Sequence, residues 1–270
     1  MNEKSIEKNK ITIAGISLWR ICAYFIIYSF VGFVVETCFG VITKGELESR
    51  QSFLYGPFCG IYGIGAIIMI LSLQRFKKNN YTIFLGGFLI GSILEYIISF
   101  IGETIFHVVW WDYSNRAFNI NGRICVSFSF FWGILAVYLI SHFNPKIDRL
   151  IDKIKSKYSE KLLKIVIIIG IVLLLIDCIL TGFALKMFYT RLIDNYNVQI
   201  EGAEEFADEC RELYEVPRIK EFVDKYWNDE KMLRTFPNLK LTDKNGNIVY
   251  ISGILNHIQP YYLKIFTTVN

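Results

Sequence analysis

Five long apolar runs dominate the 270-residue chain and limit the folds open to it. In a bilayer every backbone polar group must be satisfied within the protein, so apolar runs of this length cross as helices or as closed barrels. The runs are uninterrupted by the short-period alternation of barrel strands, so they predict an all-α integral membrane protein with a bundle of five transmembrane helices. Their predicted bounds are residues 18–42, 56–73, 81–109, 124–142 and 163–187.

The charged residues are distributed unevenly along the chain. Fourteen lysines and arginines precede residue 21 or lie in the 75–78 and 143–164 loops, whereas four lie in the other two loops. Cytoplasmic loops carry the excess of positive charge, so we expect the N-terminal segment, residues 1–17, to be cytoplasmic. With five spans between 18 and 189, the tail, residues 190–270, is then extracellular. The basic 143–164 loop is expected to face anionic membrane lipid or to form an amphipathic helix that docks a partner.

Residues 190–270 are predicted to form a small, partly helical C-terminal domain, soluble or peripheral to the membrane. Apolar residues recur at helical spacing on both sides of Pro217. Asn245-Gly246 lies between two short apolar runs, which is typical of a β-hairpin turn.

An aromatic and charged stretch, FHVVWWDYSNRAFNINGR, follows the third apolar run. Trp110, Trp111 and Tyr113 predict a membrane boundary, because aromatic rings with a polar edge favour the headgroup layer. They serve as interface anchors or, alternatively, stack on a ligand. Anchoring does not require the adjoining Asp112 and Arg123, and this surplus of polar groups at the boundary indicates a functional site.

Four acidic residues, Glu36, Glu95, Glu103 and Asp177, lie inside the predicted spans. A charge at the centre of a membrane helix costs about 2.5–3.5 kcal/mol on insertion scales. These carboxyls must therefore be protonated, paired with Arg50 or Arg123 from outside, hydrated in a cavity, or bound to a cation. They line an outward-facing polar cavity in one hypothesis and join helices by hydrogen bonds in the other.

Small residues share the helix faces that carry these acids. Gly87 and Gly91 form a G-x-x-x-G pattern on the face of Glu95, and Gly56 and Gly60 form another. Such patterns predict close helix–helix approach in lipid.

Other chemistries have weaker support in the sequence. The six cysteines form no C-x-x-C pair, and no G-x-x-x-x-G-K-[ST] motif is present. Glu103 and His107 stand one turn apart with no obvious third ligand, so we expect no metal site. We also expect no cofactor and no nucleic acid partner. No nucleophile–base pair supports catalysis, so we expect the chain not to be an enzyme and to have no catalytic residue.

Several motifs resemble a known family. They are SFLYGPFCGIYGIG, LEYIISFIGETIFHVVWWDYS and FNINGRICVSFSFFWG, and the similarity covers roughly residues 20–190. The chain is similar here to the bacterial ABC-transporter type IV permease family, also called CmpB-like. The resemblance implies a permease-like subunit of the bacterial cell membrane, and an ATPase partner would then be a separate subunit.

The leading hypothesis is therefore a membrane permease with a site for an unknown polar or charged solute. Its solute-binding or gating residues would be Glu36, Glu95, Glu103, Asp112, Arg123 and Asp177. The alternative is a non-transporting scaffold or sensor whose outer loops and tail bind an envelope partner.

Overall fold

The computed structural model describes residues 11–106 and 108–266, so His107 lies outside the described residues. Four helical stretches in them are long and apolar enough to cross a membrane, which confirms a mainly helical, multi-pass membrane protein. They are α1 (Leu18–Lys44), α3 (Asn80–Phe106), the continuous pair α4 (Val126–Tyr138) and α5 (Asn144–Lys157), and α6 (Glu160–Tyr196). A short π-helical turn, Leu139–Phe143, joins α4 to α5.

The second apolar run is not a full span, so a bundle of five spanning helices is not confirmed. Helix α2 (Gly60–Leu73) has 14 residues and continues only into a 3₁₀ turn, Gln74–Phe76. At 1.5 Å per residue, α2 is shorter than the hydrocarbon layer. Residues 50–59, which precede it, form no helix or strand.

Helix α2 begins opposite the middle of α1. The Cys59 backbone N–H donates to the Ser29 carbonyl at 2.8 Å, and Gly32 packs directly against the Tyr62 ring. Ser29 and Gly32 lie near the centre of α1, so residues 50–59 descend into the bundle from the C-terminal end of α1. This end of the bundle is the one predicted to face outward, and we call it the outer end. We call residues 50–59 the re-entrant segment.

The close helix approach predicted at Gly87 and Gly91 of the third span is confirmed, and the structure shows the fourth span to be the partner. A Cβ atom added at Gly87 would lie 2.2 Å from the Ala136 Cβ, and one added at Gly91 would lie 2.5 Å from the Trp132 Cβ. Only glycine allows α3 and α4 to pack at this distance. The Gly56–Gly60 pattern has a different role, because Gly56 is a left-handed residue (φ 81°) in the re-entrant segment and only Gly60 is helical.

The basic 143–164 region is mostly helical, and α5 packs along the first turns of α1. Arg20 forms ion pairs with Asp148 and Asp152, and the Tyr28 hydroxyl donates to Asn144 at 2.8 Å. Ile147 and Ile151 are buried on the same side of α5, whereas Arg149 and Lys153 are exposed. This end of the bundle therefore carries an amphipathic helix with an exposed basic face.

The tail consists of short helices and a hairpin. The helices are α7 (Glu204–Tyr214), α8 (Pro217–Tyr226), α9 (Asp229–Thr235) and α10 (Ile251–Ile254). The predicted hairpin at Asn245-Gly246 is confirmed, with β6 (Lys240–Thr242) antiparallel to β7 (Ile248–Tyr250).

Residues 11–106 and 108–266 form three further strand pairs, each of two-residue antiparallel strands. They are β1 (Thr12–Ile13) with β2 (Ile16–Ser17), β3 (Glu46–Leu47) with β8 (Leu263–Lys264), and β4 (Asn119–Ile120) with β5 (Ile124–Cys125).

The hydrophobic core of the tail is shared with the bundle. The outer end of α6 contributes Met187, Phe188 and Leu192, and the loops contribute Leu54 and Val108. The tail therefore lies at the same end of the bundle as the 45–59 and 108–125 loops. Which side of the membrane this end faces stays a prediction.

Candidate functional site

Glu95 is the most deeply buried of the predicted site residues on α3. Its side chain is 5% exposed, and its two oxygens accept hydrogen bonds from the Tyr113 hydroxyl at 2.8 Å and from the Trp132 indole N–H at 3.1 Å. The close α3–α4 packing at Gly91 places the Trp132 ring beside Glu95. Within the described ranges, no lysine or arginine pairs with this carboxyl. Glu95 is thus a hydrogen-bonded buried acid without a cationic partner.

Tyr113 connects the loop after α3 to this acid. Its ring stacks on Phe128 with centroids 4.6 Å apart, which fixes the hydroxyl toward Glu95. Burial raises the pKa of Tyr113, and the carboxyls of Glu95 and Glu36 raise it further. Tyr113 is the hydrogen-bond donor to Glu95, and acids on two different helices influence its pKa.

Glu36 faces the same region from α1. The Tyr62 hydroxyl at the start of α2 donates to Glu36 at 2.6 Å, and the Arg50 guanidinium lies 4.0 Å from the same carboxylate. The Tyr62 and Trp132 rings are 6.4 Å apart, which links the Glu36 group to the Glu95 group. We call Glu36, Tyr62, Trp132, Glu95 and Tyr113 the carboxylate–aromatic cluster.

Arg50 also contacts a second acid nearer the outer end. Its guanidinium lies 2.6 Å from Glu48, which is almost fully buried and also contacts Lys44 at 2.9 Å. Gly40 leaves room for the arginine, because a Cβ there would lie 3.0 Å from its terminal nitrogen. A hollow of about 230 Å³ adjoins Glu48. Its other lining residues include Phe33, Thr37, Gln51 and Tyr262.

Glu103 is paired with Arg123, one of the two arginines that the sequence offered as partners. The Arg123 guanidinium forms an ion pair with Glu103 and lies over the Tyr96 ring, 5.5 Å from its centroid. The Trp111 indole N–H donates to the Arg123 carbonyl at 2.9 Å. Trp111 thus supports the turn that carries Arg123.

Asp177 binds the re-entrant segment and is not part of the carboxylate–aromatic cluster. The Tyr55 backbone N–H lies 3.1 Å from one carboxylate oxygen, and the Leu54 N–H donates to the Thr181 hydroxyl at 2.7 Å. Non-helical backbone at membrane depth must find such partners within the protein. Asp177 therefore satisfies backbone groups that α2 would otherwise have satisfied as a longer helix.

Asp112 and Trp110 lie in the loop, and neither is a member of the carboxylate–aromatic cluster. One Asp112 oxygen accepts from the Ser114 hydroxyl at 2.6 Å and the Ser114 N–H at 2.8 Å, and these bonds lower the pKa of Asp112. Trp110 packs on Gly102 of α3, where a Cβ would lie 2.7 Å from its ring. Trp110 is the more exposed of the two tryptophans, as a boundary residue would be.

Three residues that sequence reasoning missed complete the arrangement: Tyr62, Trp132 and Tyr55. The signal for Tyr62 was a polar ring within the glycine-rich stretch GIYGIG, and Trp132 was the one indole in the fourth apolar run. Tyr55 acts through its backbone N–H on Asp177 and accepts a bond from the tail's Trp227 indole at 2.9 Å. Backbone donors carry no side-chain signal in a sequence.

The comparisons with known proteins agree with the resemblance in the motifs. The family described as "Putative ABC-transporter type IV", CmpB-like, matches residues 23–182, which include α1 from its sixth residue, all of α2 to α5 and about the first two-thirds of α6. No significant match was found among curated proteins or among solved structures. The chain belongs to this ABC-transporter type IV family, and a transporter-like role in a membrane follows from its membership.

Proposed function

We propose that the chain is a permease subunit in which the carboxylate–aromatic cluster binds a proton or a cationic group of a polar solute. The observation that carries this proposal is the state of Glu95, which is buried and hydrogen-bonded but has no cationic partner among the described residues. An ionised carboxylate in such a place is costly, and a bound proton or cation removes the cost.

The re-entrant segment supplies the second part of the proposal. Broken helices that start near the bilayer midplane are a recurring feature of transporter binding sites. Here the first turn of α2 carries Tyr62, which donates to Glu36, and Arg50 lies at the outer end of the segment, between Glu36 and Glu48. We propose that Arg50 and the Glu103–Arg123 pair gate access from the outer end, while Asp177 holds the segment in place.

Proton flux into vesicles tests the proposed site. The full-length protein is reconstituted with a pH-sensitive dye inside, and a potassium diffusion potential drives proton entry. We expect Glu95→Gln to reduce the protein-dependent flux at least tenfold, Glu95→Asp to retain part of it, and Glu212→Gln, in the exposed acidic part of α7, to leave it unchanged. Equal flux in wild type and Glu95→Gln would contradict the proposal.

A separate ATPase subunit is proposed as partner, with α5 as its contact. This helix has an exposed basic face at the end of the bundle opposite the tail. Reversing two charges, Arg149→Glu with Lys153→Glu, is expected to abolish co-purification of an ATPase from native membranes. The matched control is Arg218→Glu with Lys220→Glu on the exposed face of α8.

The scaffold or sensor alternative is favoured by one observation, the packing of the tail onto the re-entrant segment through Leu54, Tyr55 and Trp227. A scaffold would tolerate Glu95→Gln and lose activity when the tail surface is changed.

We further propose a non-enzymatic role: purified protein should turn over no substrate without a gradient or ATP.

A further inference from the structure

The last described residues of the chain form an apolar strip on the surface. Tyr262, Leu263, Ile265 and Phe266 are all exposed, with between 45% and 57% of each residue accessible. Four large apolar side chains within five residues exceed the scattered exposure that is normal on a water-soluble surface. We call residues 261–266 the C-terminal strip.

Backbone hydrogen bonds fix this strip to the outer end of α1. Strand β8 pairs antiparallel with β3, with Leu263 opposite Leu47 and Lys264 opposite Glu46. The Ile265 and Phe266 N–H groups both donate to the Gly45 carbonyl, at 2.7 and 3.2 Å. Gly45 has φ 73° and no room for a side chain, since a Cβ would lie 2.2 Å from the Phe266 carbonyl oxygen. The strip is thus held in place with its side chains outward.

The strip continues the apolar surface of a membrane-spanning helix. The last turns of α1 expose Phe39 and Ile42, the latter 73% accessible, immediately before Gly45. Lys264 lies within the strip and is exposed, so its long apolar stem can lie along this surface while its ammonium group reaches water. Tyrosines with flanking lysines are typical of the headgroup layer.

We propose that the C-terminal strip lies in the interfacial layer of the bilayer at the outer end of α1, and that it seats the tail on the membrane. The lipid surface is the occupant that fits, because the strip is continuous with the exposed apolar side chains of α1, a helix long and apolar enough to cross a membrane. The carboxylate–aromatic cluster is not involved, so the inference is independent of the proposed function.

Photo-crosslinking in the full-length protein tests this placement. p-Benzoylphenylalanine replaces Ile265 or, separately, Leu263, and each protein is reconstituted in vesicles of phosphatidylglycerol and phosphatidylethanolamine. After irradiation, mass spectrometry of the tail peptide measures the fraction that carries a lipid adduct. The control is the same probe at Leu213, an exposed position in the acidic helix α7.

We expect at least fivefold more lipid adduct at 265 and 263 than at 213. Adduct at the control level at both positions, or crosslinks chiefly to a second protein chain, would overturn the proposal. A second variant carries Leu263→Asn and Ile265→Asn together. In vesicles, we expect protease to cleave this variant after Lys264 at least twice as fast as it cleaves the wild-type protein. An unchanged rate would count against membrane seating even if the photoprobe variants misfold.

Discussion

Tyr113, from the loop after α3, donates a 2.8 Å hydrogen bond to Glu95, which lies two turns or more inside that helix. The loop therefore folds back over the end of the bundle, and its aromatic ring covers a buried acid. Trp132 of α4 binds the other oxygen of the same acid. The boundary aromatics are thus divided: Tyr113 completes a buried site, whereas Trp110 packs at the surface of α3.

Removing the Tyr113 hydroxyl should weaken this site without removing the ring. Tyr113→Phe keeps the stack on Phe128 but leaves one Glu95 oxygen without its donor. We expect a loss of about 1–3 kcal/mol in the free energy of unfolding, the cost of an unsatisfied buried group. Thermal unfolding in detergent measures it, with Tyr138→Phe, an exposed tyrosine on α4, as control. Equal midpoints for the two variants would show that the bond contributes nothing.

The Glu103–Arg123 ion pair should appear as energetic coupling. Both side chains are partly buried, and the arginine also lies over Tyr96 and Phe100. A double-mutant cycle of Glu103→Gln and Arg123→Gln is expected to give a coupling of about 0.5–3 kcal/mol. The stabilities are measured at two salt concentrations, because a partly buried pair is screened less than an exposed one. Additive effects of the two changes would mean that the pair is not formed.

The contact between α1 and α2 depends on glycine at one position and not at a neighbouring one. An added Cβ at Gly63 would lie 2.3 Å from the Ser29 hydroxyl and 2.9 Å from the Phe25 carbonyl oxygen, whereas one at Gly65 would meet nothing within 4 Å. We expect Gly63→Ala to destabilise by about 1–3 kcal/mol through overpacking. Gly65→Ala should be neutral or slightly stabilising, since alanine favours helix. Thermal unfolding in detergent measures both variants. Similar unfolding midpoints for Gly63→Ala and Gly65→Ala would contradict the close contact between α1 and α2 at Gly63.

Asp112 should make stability depend on pH in acid. Hydrogen bonds from Ser114 lower its folded-state pKa below the ordinary value of about 3.9. Because the pKa is lowered in the folded state, the stabilisation that ionised Asp112 adds to the free energy of unfolding is fully present above about pH 5. It is lost as pH falls through the folded-state pKa. The difference in unfolding free energy between wild type and Asp112→Asn should therefore shrink as pH falls from 5 to 2. A difference that stays constant over this range would contradict the role given to these bonds.

The side of the membrane that the tail occupies can be measured with an exposed cysteine. Cys210 is buried in the tail core and is unsuitable, whereas Glu212 on the same helix is exposed. In intact cells we expect Glu212→Cys to react with a membrane-impermeant maleimide, and Lys153→Cys on α5 to react only after lysis. The excess of lysine and arginine at the α5 end is the physical reason. Labelling at position 153 in intact cells, with labelling at position 212 only after lysis, would show that the topology is the reverse of the predicted one.

Several features of this protein followed from local sequence alone. The apolar character of α1, α3, α4 and α6 and the hairpin at Asn245-Gly246 are properties of neighbouring residues. The membrane boundary at Trp110 and Trp111 stays a prediction from the same kind of local pattern. The need of Glu36 and Glu103 for partners could also be predicted, because the cost of a carboxyl in lipid does not depend on which partner it finds.

Only the tertiary structure decided which partners these acids have and how far the second apolar run extends. Residues 56–59 are uncharged and belong to the predicted second span, but Asp177 and Thr181 of α6 hold the adjoining Leu54 and Tyr55 backbone out of a helix. Tyr62 and Trp132 reach their acids because Gly32 and Gly91 set the distance between neighbouring helices. Hydrophobicity is local to a segment, whereas the register between helices depends on packing between residues far apart in the chain, and this register built the cluster around Glu95.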